Sequence, residues 1–209
     1  MTPPPSPGVD VSSIVPSTRD FLQALGSRGG PRKRLALVAL VETDEDAQRL
    51  AAAGVSGLAV SAPSERTRAI SAAAGSTPLL SLARIETEDD ALLARSVGAD
   101  AVLIDAGRFE ALNKAARSTR MVALAAATDA TSAGLAANTA KAIYLRVAAV
   151  ELVAPIVAKL PKGLRVLAHV PAIDETGLRA LRGVVDAAIV EQDMHLSTSF
   201  DTLREELDP

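Results

Sequence analysis

The chain of 209 residues contains no cysteine and no tryptophan. The first absence removes disulfides, thiolate nucleophiles and thiolate metal sites. The second leaves Phe21, Phe109, Phe200 and Tyr144 as the whole aromatic complement. A core must then be built from Ala, Val, Leu and Ile, whose small volumes suit closely apposed helices and strands. Surplus positive charge is also missing: the formal charge is −3. Without a basic surface or stacking side chains, nucleic acid is not expected as a partner. No apolar run reaches the roughly 18 to 20 residues that span a bilayer, and MTPPPSPG has neither a basic nor an apolar leader segment. A cytoplasmic protein with no membrane partner is the expectation. The sequence also lacks GxSxG, GxxxxGK[ST], HExxH and a glycine-rich dinucleotide turn.

What is present is a repeat. Residues 1–16 carry five prolines without apolar periodicity and read as a disordered tail. STRDFLQALGSRGG predicts a short helix over 17–28, capped by Ser17, with Phe21, Leu22 and Leu25 on one face and Gly26 and Gly29-Gly30 at its end. Strand-like runs follow at 34–41, 55–62, 78–83, 99–106, 121–127, 142–147, 164–170 and 186–191. Helical segments such as TDEDAQRLAAAG, SERTRAISAAAG, TEDDALLARSVG and DETGLRALRG lie between them, opened by acids, Ser or Thr and often closed by glycine. Mostly continuous apolar strands, each followed by a helix, indicate parallel pairing under a helical cover. The predicted fold is a compact α/β (β/α)8 TIM barrel as a single domain over 17–209. A closed barrel uses all eight strands and leaves no edge; a doubly wound open sheet is the alternative.

TPLLSLARIETEDDALLARSVGADAVLID, residues 77–105, resembles the third and fourth strands of the indole-3-glycerol phosphate synthase family, with Pro78, Leu80, Ile85, Ala94-Arg95 and GADAVL at 98–103 in register. DFLQALGSR at 20–28 is similar to the helix before that family's first strand, and the run from Val184 to Leu207 is similar to its last unit. The resemblance implies a tryptophan-pathway barrel, a lyase acting on a phosphorylated substrate. It also implies a loss, because Leu82 stands where the family has its general-acid lysine. Leu40 and Glu42 replace a glutamate and a lysine of the first strand. Leu124 to Ala127 replace a segment with a catalytic glutamate, and YLRV at 144–147 replaces the sixth-strand motif. His169-Val170-Pro171-Ala172 and Glu191 fall where the family grips phosphate. Pro171 removes an N–H and Glu191 adds a repelling charge.

A closed barrel would bring Glu42, Arg84, Asp105, Arg146, His169 and Glu191 to the C-terminal ends of the strands. His169 with Glu191 or Asp105 is the candidate acid–base set, and Glu42, Arg84 and Arg146 are candidate mouth residues for a ligand. Oxygen and nitrogen donors from Glu42, Asp105, His169 and Glu191 could in principle meet a divalent metal. The alternative is that these groups pair with one another and plug the mouth, with Arg146 as counter-ion to Glu42 or Glu191. His195 is read as the start of the turn into the last helix. None of the lysines, Lys33, Lys114, Lys141, Lys159 and Lys162, falls at a C-terminal strand end, so a Schiff-base aldolase lacks its nucleophile.

Acids opening the helices make the mouth acidic, while Arg49, Arg68, Arg95, Arg120, Lys162 and Arg182 are assigned to the opposite face. The leading expectation is a non-catalytic binding, scaffolding or regulatory module of the synthase type, with no cofactor, no metal and an unidentified protein partner. The alternatives are a divergent lyase or isomerase using His169, and residual synthase activity.

Overall fold

The computed structural model of the protein describes residues 14–26 and 34–208. Most of the tail expected over 1–16, and the end of the helix expected over 17–28, lie outside the described residues. Eight parallel strands close into a barrel in chain order, each paired with the next and β8 with β1. They are β1 (Ala36–Leu40), β2 (Gly57–Val60), β3 (Leu79–Arg84), β4 (Ala101–Asp105), β5 (Val122–Ala127), β6 (Ala142–Arg146), β7 (Arg165–His169) and β8 (Ala187–Val190). The outer layer comprises α2 (Asp44–Ala53), α3 (Glu65–Ala73), α4 (Glu88–Ser96), α5 (Phe109–Ser118), α6 (Ala130–Ala136), α7 (Val153–Val157), α8 (Glu175–Leu181), α9 (Gln192–His195) and α10 (Phe200–Leu207), after a leading α1 (Phe21–Ala24). The open-sheet alternative is excluded.

Because strand side chains alternate, each strand feeds two cores. Leu37, Ala39, Leu58, Val102, Ile104, Ile143, Leu145, Val166 and Ala168 face the helices, whereas Ala36, Val38, Ala59, Leu80, Leu103, Leu124, Tyr144, Leu167 and Ile189 fill the interior. The first inward positions of β1, β2, β4, β6 and β8 are Ala36, Gly57, Ala101, Ala142 and Ala187. Such small residues leave the floor of the barrel hollow. Phe21 and Leu25 fill it: both are fully buried and belong to the interior cluster. A Cβ built on Gly57 would stand 3.4 Å from the Phe21 ring, so the missing side chain makes room for the plug.

The N-terminal helix is shorter than expected, and Ser17 is not its cap. Asp20 accepts the Gln23 N–H at 3.1 Å, because a carboxylate one residue before the helical run reaches the orphan amides that Ser17 cannot. Ser17 instead donates its hydroxyl to Asp100 Oδ1 at 2.7 Å. The caps of the outer helices follow the sequence: Thr43, Ser64, Thr87, Asp129 and Asp174 each accept an N–H of the first turn. At the other ends, Gly54 and Gly98 adopt positive φ after α2 and α4, each followed by a bond that closes a Schellman turn, Val55 N–H to Leu50 O and Ala99 N–H to Ala94 O. Arg120 holds the same place after α5 with φ 59°, a left-handed conformation that strains a side-chain-bearing residue.

Candidate functional site

Continuing the inward alternation by one step at the C-terminal end of each strand places Glu42, Arg84, Asp105, Arg146, His169 and Glu191 on one ring around the barrel mouth. β3 reaches this ring through an irregularity: its register against β4 shifts between Ser81 and Arg84. Ser81 Oγ, at the start of that shift, is buried without a hydrogen-bond partner, and Arg84, whose register partner on β4 is Leu103, reaches Asp105 with its side chain. The sequence candidates are therefore neighbours, but they divide into separate groups.

Arg84 Nη1 and Asp105 Oδ1 form an ion pair at 2.6 Å with both side chains about half exposed. Asp105 is thus engaged with Arg84 and not with His169. His169, buried at the end of β7, places Nε2 3.1 Å from Glu191 Oε1. Its other ring nitrogen, Nδ1, is 2.5 Å from the hydroxyl of Tyr144 on β6, with the two rings edge to face. Glu191 Oε2 accepts the backbone N–H of Ala172 at 3.1 Å. Ala172 has φ 53°, in the left-handed region. Among the described residues neither Glu42 nor Arg146 enters an ion pair, so Arg146 is not the counter-ion expected for either acid. Glu191 instead shares a hydrogen bond with His169, and Arg146 acts on it only at longer range.

The protonation states follow from these surroundings. Burial, opposed by the Glu191 hydrogen bond, holds the His169 imidazolium pKa below its ordinary value of 6.5. The hydrogen bond from His169 holds the Glu191 carboxyl below its ordinary range, with burial opposing and the Ala172 amide and Arg146 assisting. Burial raises the Tyr144 phenol to about 12, against the pull of Arg146 and Arg84. At neutral pH the series is therefore carboxylate, neutral imidazole and neutral phenol. An ionised Glu191 requires the proton of the imidazole on Nε2, so Nδ1 is bare and Tyr144 donates to it.

Tyr144 is the residue the sequence reading missed. Its signal was the inward register of the sixth strand two residues below Arg146, together with its being the one tyrosine of the chain. His195 was also under-read: it ends α9, fully buried, with Nε2 2.8 Å from the Leu40 carbonyl and Nδ1 3.2 Å from Arg49 Nη2. Arg49 accordingly reaches the unit after β8 and pairs with Asp46, so it does not serve the opposite face as expected. The ring itself carries Arg84 and Arg146 against Glu42, Asp105 and Glu191, and the denser acids, among them Asp44, Glu45, Glu88 and Asp89, sit in first helical turns. Their place is explained by helix dipoles. No group of three or more His, Cys, Asp or Glu able to hold a metal occurs among the described residues. None of the described helices is long and apolar enough to cross a membrane.

No family model and no curated protein matches the chain. Solved structures do. Phosphoribosylanthranilate isomerase from Thermotoga maritima, in a monomeric form, superposes with a TM-score of 0.65 at 16% identity, covering 83% of this chain and 98% of that one. Thiamine phosphate pyrophosphorylase from Pyrococcus furiosus gives 0.60 at 15%, with 84% and 94% covered. A truncated 3-deoxy-D-arabino-heptulosonate 7-phosphate synthase from Thermotoga maritima gives 0.54 at 19%, with 81% and 79% covered. These likenesses establish the TIM-barrel fold.

Proposed function

We propose that this barrel is a non-catalytic module of the indole-3-glycerol phosphate synthase type, acting through binding or scaffolding of a protein partner. The observation that carries the reading is the engagement of every proton donor in the Tyr144, His169 and Glu191 series. The phenol donates to the imidazole, the imidazole donates to the carboxylate, and the carboxylate closes on the Ala172 amide. Both side-chain protons of that series already have an acceptor within it.

Two further features support it. Leu82 stands on β3 where the resemblance calls for a general-acid lysine, and an alkyl side chain transfers no proton. Glu191 also occupies an amide at the end of β7, a type of group that phosphate sites use. A phosphate brought to about 4 Å from that carboxylate would meet roughly 4 kcal/mol of repulsion per unit charge at an effective dielectric near 20. The likeness to structures named for phosphorylated compounds is a likeness of scaffold alone.

The test is indole formation from indole-3-glycerol phosphate, with an authentic synthase assayed beside the protein. The expected outcome is no indole above the blank; turnover within a few hundredfold of the synthase would refute the reading.

A second reading rests on the same series. Three polar residues, from β6, from β7 and from the position just after β8, form one hydrogen-bonded path, as a proton-transferring lyase or isomerase would require. Turnover of a neutral or cationic small molecule that His169→Asn abolishes would favour this reading over the first.

A further inference from the structure

The hydrogen bond between Tyr144 and His169 can exist in two directions, and only one suits each charge state of the ring. With neutral His169 the Nε2 proton belongs to Glu191, and Nδ1 accepts from the Tyr144 hydroxyl over 2.5 Å. An imidazolium carries a proton on both nitrogens and accepts from neither. Nδ1–H must then donate to the phenol oxygen, and the phenol proton must turn away. We propose that Tyr144 and His169 form a proton-coupled switch in which protonation of His169 reverses their hydrogen bond and turns the Tyr144 hydroxyl proton toward the barrel mouth.

The geometry makes this reversal local. Both side chains are about 5% exposed and belong to neighbouring strands whose residues pair directly, Tyr144 with Leu167 and Arg146 with His169, so the rings have little freedom to separate. A phenolic O–H has two favoured in-plane orientations, and rotation between them moves no heavy atom. Glu191 stays in place throughout, because it accepts Nε2–H in either state and is held by Ala172 N–H.

The charged groups facing the pair are Arg146 from β6, Glu191 from β8 and Arg84 from β3, the last neutralised by Asp105 of β4. Glu191 favours the imidazolium; burial and Arg146 oppose it. The guanidiniums of Arg84 and Arg146 only donate, so neither can accept from the redirected phenol O–H. On this proposal its acceptor is water or an oxygen of a ligand at the mouth. The acid form thus offers the mouth one more hydrogen-bond donor than the neutral form, and favours a carbonyl or carboxylate oxygen there. This goes beyond the non-catalytic reading and does not depend on it.

The chain is its own reporter, having a single tyrosine and no tryptophan. Tyrosine emission and near-ultraviolet absorption of the intact protein are followed from pH 8 downward, with far-ultraviolet circular dichroism recorded in parallel. The expected result is one step below pH 6.5, the ordinary imidazole value, at constant helical signal. The step disappears in His169→Asn and moves to lower pH in Glu191→Gln. Should His169→Asn fail to fold, nitrogen NMR of the wild-type ring supplies the readout: Nδ1 gains its proton in the same step that changes the Tyr144 signal. A tyrosine step that persists without His169, that coincides with loss of helical signal, or that is absent while Nδ1 protonates overturns the proposal.

Discussion

Asp100 and Asp186 perform one task four strands apart: each stands immediately before a strand, β4 or β8, and accepts on Oδ2 the N–H at the start of the preceding one, from Leu79 and Val166, both at 2.8 Å. Asp208 likewise accepts the Leu37 N–H of β1 on Oδ2 at 3.2 Å, with the Ser56 hydroxyl on the same oxygen and Arg34 on Oδ1. Amides at the N-terminal rim, where a parallel ladder runs out, are thereby satisfied by buried carboxylates. On Asp100, Arg19 at 2.7 Å, Arg95 at 2.8 Å and Ser17 converge. The GAD turn of the sequence is thus a structural joint.

Removing that carboxylate strands two nearly buried guanidiniums and a strand amide. Asp100→Ala should cost about 3 to 5 kcal/mol, the usual cost of breaking a buried charge pair. Asp100→Asn keeps an acceptor and should cost less. Urea denaturation followed by circular dichroism measures both; an Asp100→Ala protein within 1 kcal/mol of wild type would contradict the joint.

Arg120 offers the opposite sign. It occupies the position after α5 that glycine occupies after α2 and α4, with Arg120 N–H bonded to Arg117 O and Met121 N–H to Ala116 O. Its side chain is exposed and its φ is 59°. Arg120→Gly should stabilise by about 0.5 to 1 kcal/mol, the left-handed strain relieved less the extra chain entropy of glycine. Gly98→Ala should do the reverse, because a Cβ there would lie 2.3 Å from Ser71 Oγ as well as requiring φ 99°. Thermal melting of the two variants decides between them.

Acid should weaken the fold in two stages. His169 has a folded pKa below 6.5, so the unfolded chain binds its proton more tightly. The stability this group contributes is complete above pH 6.5 and is lost as pH falls through the folded value. Glu191, depressed from 4.5, acts in the same direction at lower pH. Denaturation midpoints measured from pH 8 to 4 should therefore decline from about pH 6.5 downward, and His169→Phe should remove the earlier decline. A flat profile from pH 6.5 to 5 would contradict burial of a neutral imidazole.

The barrel was legible because each strand is an apolar run and most helices open on Ser, Thr or an acid, as with Thr43, Ser64 and Thr87, α5 and α7 being the exceptions. The placement of the mouth residues at the strand ends was legible for a related reason: a residue just past an apolar run inherits its inward phase, as Asp105, Arg146, His169 and Glu191 do. Which of them would pair was not legible. Partner choice depends on the β3 irregularity that sets Arg84 beside Leu103, within side-chain reach of Asp105, and on the cross-strand register that sets Tyr144 beneath His169. Neither leaves a mark in local periodicity. The placement of Ser17 at Asp100 was hidden likewise, since 83 residues separate them.

Glu191 makes the absence of a phosphate grip testable by its removal. Inorganic phosphate at millimolar concentration should leave the melting temperature of the unmodified protein unchanged, because the Ala172 amide is already taken by a carboxylate. Glu191→Gly frees that amide and deletes the charge; Glu191→Gln deletes the charge while leaving an oxygen on the amide. If repulsion and occupation both matter, only the glycine variant should respond. At a phosphate concentration ten times its Kd the gain is about 1.4 kcal/mol, which for a domain of this size raises Tm by roughly 3 to 6 °C. An equal response from Glu191→Gln would leave charge alone as the cause. A response from the unmodified protein would mean that phosphate finds amides other than that of Ala172, and the electrostatic argument against a phosphorylated ligand would fail with it.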